Sequence, residues 1–332
     1  MAEALHEHPS LTDLNLTANY IGDEGMDTLA NMLRDNTSIT DLHLYNNDFG
    51  DQGVFALAGA IQVNSSVAKL HLGGNSIADQ GVIMLALALQ VNSSLTRLLL
   101  NDNNISDQGV IALAHGLRYN SSLTQLDLGD NRIGDQGVSA LAGMLRINSS
   151  LTSLDLSANN FGDDGVIFLA NALRNNSSLA RLDLRDNDIS DTGGTGLVEM
   201  LLYNASLNYV GLPDAIDLEE RVEDLTEINT EAASSHVAFG KKVKLLVDSE
   251  QDSSEDAVSL ALVGLGRFSE SDQRQEVLHG LLGSHERGKD VAASVDLATR
   301  RILYRYAAKS AAGPALANLL RAHPSLCERR DK

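Results

Sequence analysis

Leu123-Thr-Gln-Leu126-Asp-Leu128-Gly-Asp-Asn131-Arg-Ile133-Gly-Asp135-Gln-Gly137 decides the reading of this chain, because its pattern returns every 28 residues from Leu11 to Leu207 without insertion or deletion. Leu11, Ile39, Val67, Leu95, Leu123, Leu151, Leu179 and Leu207 open successive copies. A strict period of this length marks a solenoid, in which each unit buries its apolar face only against its neighbours. Leu126 and Leu128 alternate with polar residues, the period-two pattern of a strand with one buried face. Asn131 then falls in a column with Asn19, Asn47, Asn75, Asn103, Asn159 and Asn187. A side-chain amide can satisfy backbone groups where the chain leaves the strand, so stacked copies are expected to build an Asn ladder.

A helix should follow. Asp135 belongs to an unbroken column of Asp23, Asp51, Asp79, Asp107, Asp163 and Asp191, each with Gly two residues later. Asp at a helix start accepts N–H groups that lack an intrahelical partner, so each Asp is expected to cap its own helix. Val54, Leu57, Ala58 and Ile61 show the apolar spacing of one helical face. Asn64-Ser-Ser and its counterparts at Asn92, Asn120, Asn148 and Asn176 match the glycosylation acceptor pattern. In register they fall at helix ends, where Asn in the left-handed conformation is expected to stop the helix.

These motifs resemble the leucine-rich repeats of the ribonuclease-inhibitor-like class, over Leu11 to about Leu212. The resemblance implies an α/β solenoid, a horseshoe with a parallel inner sheet and outer helices. Strands ~4.8 Å apart facing helices ~8–10 Å apart would rotate each repeat by about 25°. Eight strands would then sweep close to a half-ring, with the sheet on the concave side.

The expected organisation is a repeat array over 1–212, a capping segment over 213–231, a flexible acidic linker over 232–256, and a mainly helical region over 257–332. Ala2 to Leu11 aligns with Ala170 to Leu179, so the first repeat is partial and the chain reads as half of a cap or part of something longer. Pro213 and Asp214 interrupt the turn that would lead to the next column Asn. Helical segments are expected at 257–268, 272–284 and 289–322, and a short strand at Lys241 to Val247.

The formal net charge is −20, of which residues 1–212 supply −15 from 9 basic and 24 acidic side chains. Such a surface repels nucleic-acid phosphates, and its natural complement is a protein partner with a basic surface. No apolar run reaches membrane-spanning length, and the polar start Met1-Ala-Glu-Ala-Leu-His lacks the character of a signal peptide. Cys327 stands alone, which favours a reducing compartment. A cytoplasmic monomer with no membrane association is expected.

Strand residues between the buried leucines should face the concave side. The middle column runs Asn15, His43, His71, Leu99, Asp127, Asp155, Asp183 and Gly211, mixed early and rich in carboxylates late. The protein-binding set expected from these columns is Arg97, Asp127, Asp155, Arg181, Asp183 and Arg185, combining carboxylates with guanidinium groups that make directional contacts. The competing reading is that Leu-Asp-Leu is simply the common form of this repeat, with its acids open to water. His43 and His71 should lie roughly 5 Å apart, but no third ligand is evident, so no metal and no cofactor is expected. His6, His8 and Cys327 carry no pattern of their own. No nucleophile–base arrangement emerges, and the periodic glycines do not form a phosphate loop.

The chain therefore reads as a non-catalytic scaffold that binds a protein on the concave face or rim. Its resemblance to the repeat regions of NOD-like receptors and ROCO GTPases implies a sensing or restraining role. Two alternatives stay open: a GTPase-activating protein similar to the Ran type, and a regulatory or autoinhibitory fragment of a larger protein.

Overall fold

A computed structural model describes residues 10–213 together with Val222, Glu223, Thr226, Glu227 and Asn229. The expectations for the partial first repeat, for most of the 213–231 cap, and for the 232–256 and 257–332 regions lie outside the described residues. Within 213–231 the five described residues from Val222 to Asn229 are helical, with Val222 and Thr226 buried.

Eight three-residue strands form one parallel sheet in chain order: β1 Asp13–Asn15, β2 Asp41–His43, β3 Lys69–His71, β4 Arg97–Leu99, β5 Gln125–Asp127, β6 Ser153–Asp155, β7 Arg181–Asp183 and β8 Tyr209–Gly211. Between them run α1 Gly22–Asp35, α2 Asp51–Ile61, α3 Asp79–Leu89, α4 Asp107–Leu117, α5 Asp135–Leu145, α6 Asp163–Leu173 and α7 Asp191–Leu201. Each residue pairs with its counterpart one repeat away, Leu98 with Leu126 and Leu126 with Leu154, so every column of the sequence becomes a row across the sheet. This is a leucine-rich repeat solenoid. Its core is the layer between sheet and helices, to which Leu42, Leu70 and Leu98 of the strands and Leu57, Leu85 and Leu113 of the helices contribute side chains that are all essentially inaccessible.

The Asn ladder forms. Asn131 Nδ2 donates to Leu100 O of the preceding repeat and to Leu128 O and Gly129 O of its own, while its Oδ1 accepts from Ile105 N. The residue before each ladder Asn turns left-handed, as at Asp102, Asp130, Ala158 and Asp186 with φ of 51–55°. Asp gains local hydrogen bonding in that conformation, whereas Ala158 adopts it without such help.

Two expectations are corrected. The Asn64 column is not a left-handed stop: Asn64, Asn92, Asn120 and Asn148 are absent from the positive-φ residues and are buried. Their amides form a second ladder on the opposite edge of the core. Asn148 Nδ2 donates to Leu117 O and Asn120 O of the repeat before, and its Oδ1 accepts from Ser150 N and Leu151 N. An amide bonded on all sides in the interior has no room for a glycan.

The Asp column also works differently. Asp107 is the first residue of α4, and its carboxylate reaches forward to the next helix, accepting from Gly134 N at 2.7 Å and Gly137 N at 2.9 Å. The same pair of bonds runs from Asp23, Asp51, Asp79, Asp135 and Asp163 into the following repeat. The caps therefore act between repeats, and the Gly column follows from them. A Cβ on Gly137 would stand 2.7 Å from the Asp107 oxygen that its N–H must reach.

Asp107→Ala is accordingly expected to cost about 1 kcal/mol, read from the urea midpoint. Amide exchange should speed up at Gly134 and Gly137 and leave Gly109 protected. Loss of protection at Gly109 instead would mean that the carboxylate caps its own helix.

Candidate functional site

Because strand side chains alternate, the first and last residue of each short strand share the open face of the sheet. Two groups of polar side chains stand there, one at each end.

At the early end, Asp41 and His43 lie on β2 and Lys69 and His71 on β3, in register. His43 Nε2 is 3.1 Å and His71 Nε2 3.3 Å from Asp41 Oδ1, while Lys69 Nζ donates to Asp41 Oδ2 at 2.7 Å. The imidazole centroids are 4.2 Å apart. Burial works to raise the Asp41 carboxyl, but the Lys69 hydrogen bond and the charges of His43, Lys69 and His71 outweigh it, and the group titrates below its ordinary value. Burial and the charge of His43 lower His71 as well, toward the neutral ring, with Asp41 opposing and Arg97 and Lys69 adding to the shift. Asp41, His43 and His71 each offer a ligand atom, all within 4.8 Å of one another.

Sequence reasoning placed the two His side by side and missed the third group. Asp41 is two residues from His43 on the same strand, and that i, i+2 relation was the signal.

At the late end, Asp127, Asp155 and Asp183 stack on β5, β6 and β7 as direct neighbours. They differ in what surrounds them. Asp183 is only 8 % exposed and is held by Arg185, whose Nε donates to Oδ1 at 2.9 Å. Burial raises the Asp183 carboxyl, yet the Arg185 hydrogen bonds and charge bring it below its usual value. An acid so covered is not open to water, as the sequence reading had it. Tyr209 donates to the same carboxylate at 3.5 Å, and the Arg181 guanidinium lies 4.2 Å above the Tyr209 ring.

Asp155 accepts from Ser157 N and Oγ, and Asp127 from Gly129 N. Neither is in an ion pair among the described residues, although the charge of Asp155 acts on Arg185. Burial, only partly offset by the Gly129 N–H, together with the charges of Asp155 and Asp183 pushes Asp127 up to about 6.

The structure thus brings Asp127, Asp155, Arg181, Asp183 and Arg185 together. Arg97 stands apart: it is half-buried on β4, level with Lys69 and Gln125, and its charge acts on His71. A further surface escaped the sequence reading altogether. Val63, Val91, Tyr119 and Ile147 occupy one column beyond the helix ends and are 63, 61, 80 and 43 % exposed. Among the described residues no helix is long and apolar enough to cross a membrane.

The family model described as Leucine Rich repeat matches residues 7–30, 35–58, 63–86, 91–114, 119–142, 148–170 and 175–198, just over half of the chain. No curated protein shows a match. Among solved structures, Leiomodin-1 Actin-Binding Site 2 (ABS2) is similar at 20 % identity, with a TM-score of 0.42 over 46 % of this chain and 89 % of that one. The tropomodulin C-terminal domain of Caenorhabditis elegans is similar at 17 % identity, with a TM-score of 0.41 over 45 % of this chain and 93 % of that one.

Proposed function

The chain belongs to the leucine-rich repeat family, and from that premise we propose a non-catalytic scaffold that binds a protein partner through the late open face of its sheet. The repeat length and full helices favour the ribonuclease-inhibitor-like class within the family. One observation carries the reading. Asp127 and Asp155 form a partly buried pair of carboxyl groups that makes no ion pair among the described residues, flanked by Arg181 and by Arg185 on Asp183.

Like charges at strand spacing oppose each other, so a Lys or Arg side chain from a partner would relieve the stack as it bound. The Asn ladders and inter-repeat caps hold these side chains on a rigid frame, which lowers the entropy lost on association. The excess negative charge of the repeats steers a basic surface toward it, an effect that salt screens.

The test begins with capture of the partner on the intact chain and its identification by mass spectrometry. Asp127→Asn with Asp155→Asn is then compared with wild type. Arg185→Ala is unsuitable as a probe, because it would leave the buried Asp183 without its counter-ion. The double variant is expected to bind at least about tenfold more weakly, as removal of two charge-assisted contacts implies. Unchanged affinity there, with loss in Tyr119→Ser and Val91→Ser, would move the site to the helical side.

A further inference from the structure

We propose that Asp41, His43 and His71 form a site for a divalent transition ion of the zinc class. Neither imidazole contact to Asp41 Oδ1 is a hydrogen bond. Asp41 Oδ1 and His71 Nε2 are both buried and have no hydrogen-bond partner, although they stand 3.3 Å apart. Buried polar atoms of a native structure are almost always satisfied, so two that face each other unsatisfied call for a third body between them.

An ion supplies it. Metal–nitrogen and metal–oxygen bonds of ~2.0–2.2 Å place the ligand atoms of a tetrahedral ion about 3.3–3.5 Å apart. The observed separations of 3.1 and 3.3 Å from Asp41 Oδ1 lie at that edge length within a few tenths.

The surroundings fit as well. Two ring nitrogens and one carboxylate oxygen suit zinc and its neighbours, whereas calcium and magnesium take oxygen. Lys69 Nζ holds Asp41 Oδ2 at 2.7 Å and so orients the carboxylate with Oδ1 toward the two rings. The fourth position falls to water, since Asp13 Oδ1, exposed and 3.6 Å from His43 Nε2, is not among the ligand atoms that all lie within 4.8 Å of one another. The ion would tie β2 to β3 and so join two successive repeats. The charges of Lys69 and Arg97 are adverse, since they oppose the ion.

That opposition makes the test two-sided. Zinc is titrated into the full chain by calorimetry, and cobalt by the visible ligand-field bands that report a tetrahedral nitrogen–oxygen site. Wild type should bind one ion at this site. His43→Gln, His71→Gln and Asp41→Asn should each weaken it by at least about tenfold. Lys69→Gln should tighten it by about tenfold, as removal of one positive charge a few ångströms from a dication implies. A misfolded variant cannot bind more tightly, so that gain cannot come from damage. Absence of saturable binding in wild type overturns the proposal, and so do equal affinities in wild type and the Asp41, His43 and His71 variants.

Discussion

Asn120→Ala should lower the stability of the array by about 3 kcal/mol, because it strands several buried backbone groups at once. Asn120 is 8 % exposed and joins two repeats: Nδ2 donates to Leu89 O at 2.9 Å and Asn92 O at 3.1 Å, and Oδ1 accepts from Ser122 N and Leu123 N at 3.1 and 2.8 Å. Alanine fills none of these roles, and a single water in the space that the amide vacates would not reproduce all four bonds between the two repeats. For a folded unit of this size the loss should appear as a melting point about 10 °C lower. Ser121→Ala, one residue along and exposed, should change nothing. Asn103→Ala in the other ladder should cost less, about 1–3 kcal/mol, since that side chain is only half-buried. If Asn120→Ala melted with wild type, solvent would have to reach the interior of the array.

The period, the strand and helix of each repeat, and the sheet in chain order all followed from columns of identical residues. Columns report which residue recurs, and the structure adds which neighbour it serves. Nothing in Asp107 distinguishes a cap on its own helix from one on the next, because both place Asp two residues before Gly. Only the carboxylate reaching Gly134 and Gly137 decides it. Likewise Asn148 looks like a helix stop, and its burial against the preceding repeat is a matter of packing.

At the candidate sites the columns mislead in a different way. Asp127, Asp155 and Asp183 are the same residue in the same column, yet one has an elevated pKa, one rests on a serine hydroxyl and one is covered by Arg185. The difference comes from position along the array. Asp183 lies beside Tyr209 and against Arg185 near the end of the described sheet, while Asp127 feels two further carboxylates and, among the described residues, pairs with no cation. The Asp41–His43–His71 group was legible in principle, from Asp41-Leu42-His43 standing over Lys69-Leu70-His71. Treating each column alone concealed it.

Asp127→Asn should stabilise the fold at neutral pH, by about 2–3 kcal/mol if the shift from 3.8 to about 6 is converted at 1.36 kcal/mol per unit. The sign follows from linkage. The folded pKa lies above the unfolded one, so this group favours folding most below about pH 4, and that contribution is lost as pH rises through 6. Asn keeps the oxygen that accepts from Gly129 N and never ionises. The variant and wild type should therefore unfold at the same urea concentration near pH 4 and separate between pH 4 and 7. A difference that did not change with pH would show that burial and the neighbouring carboxylates do not raise Asp127.

The same substitution opposes stability to binding. A partner's cation next to Asp127 would favour the carboxylate and release the proton, so wild-type affinity should fall about tenfold from pH 7 to pH 5. The Asn variant should bind weakly at both pH values. An array kept less stable by a carboxylate that an amide could replace is one whose charge serves something outside the fold.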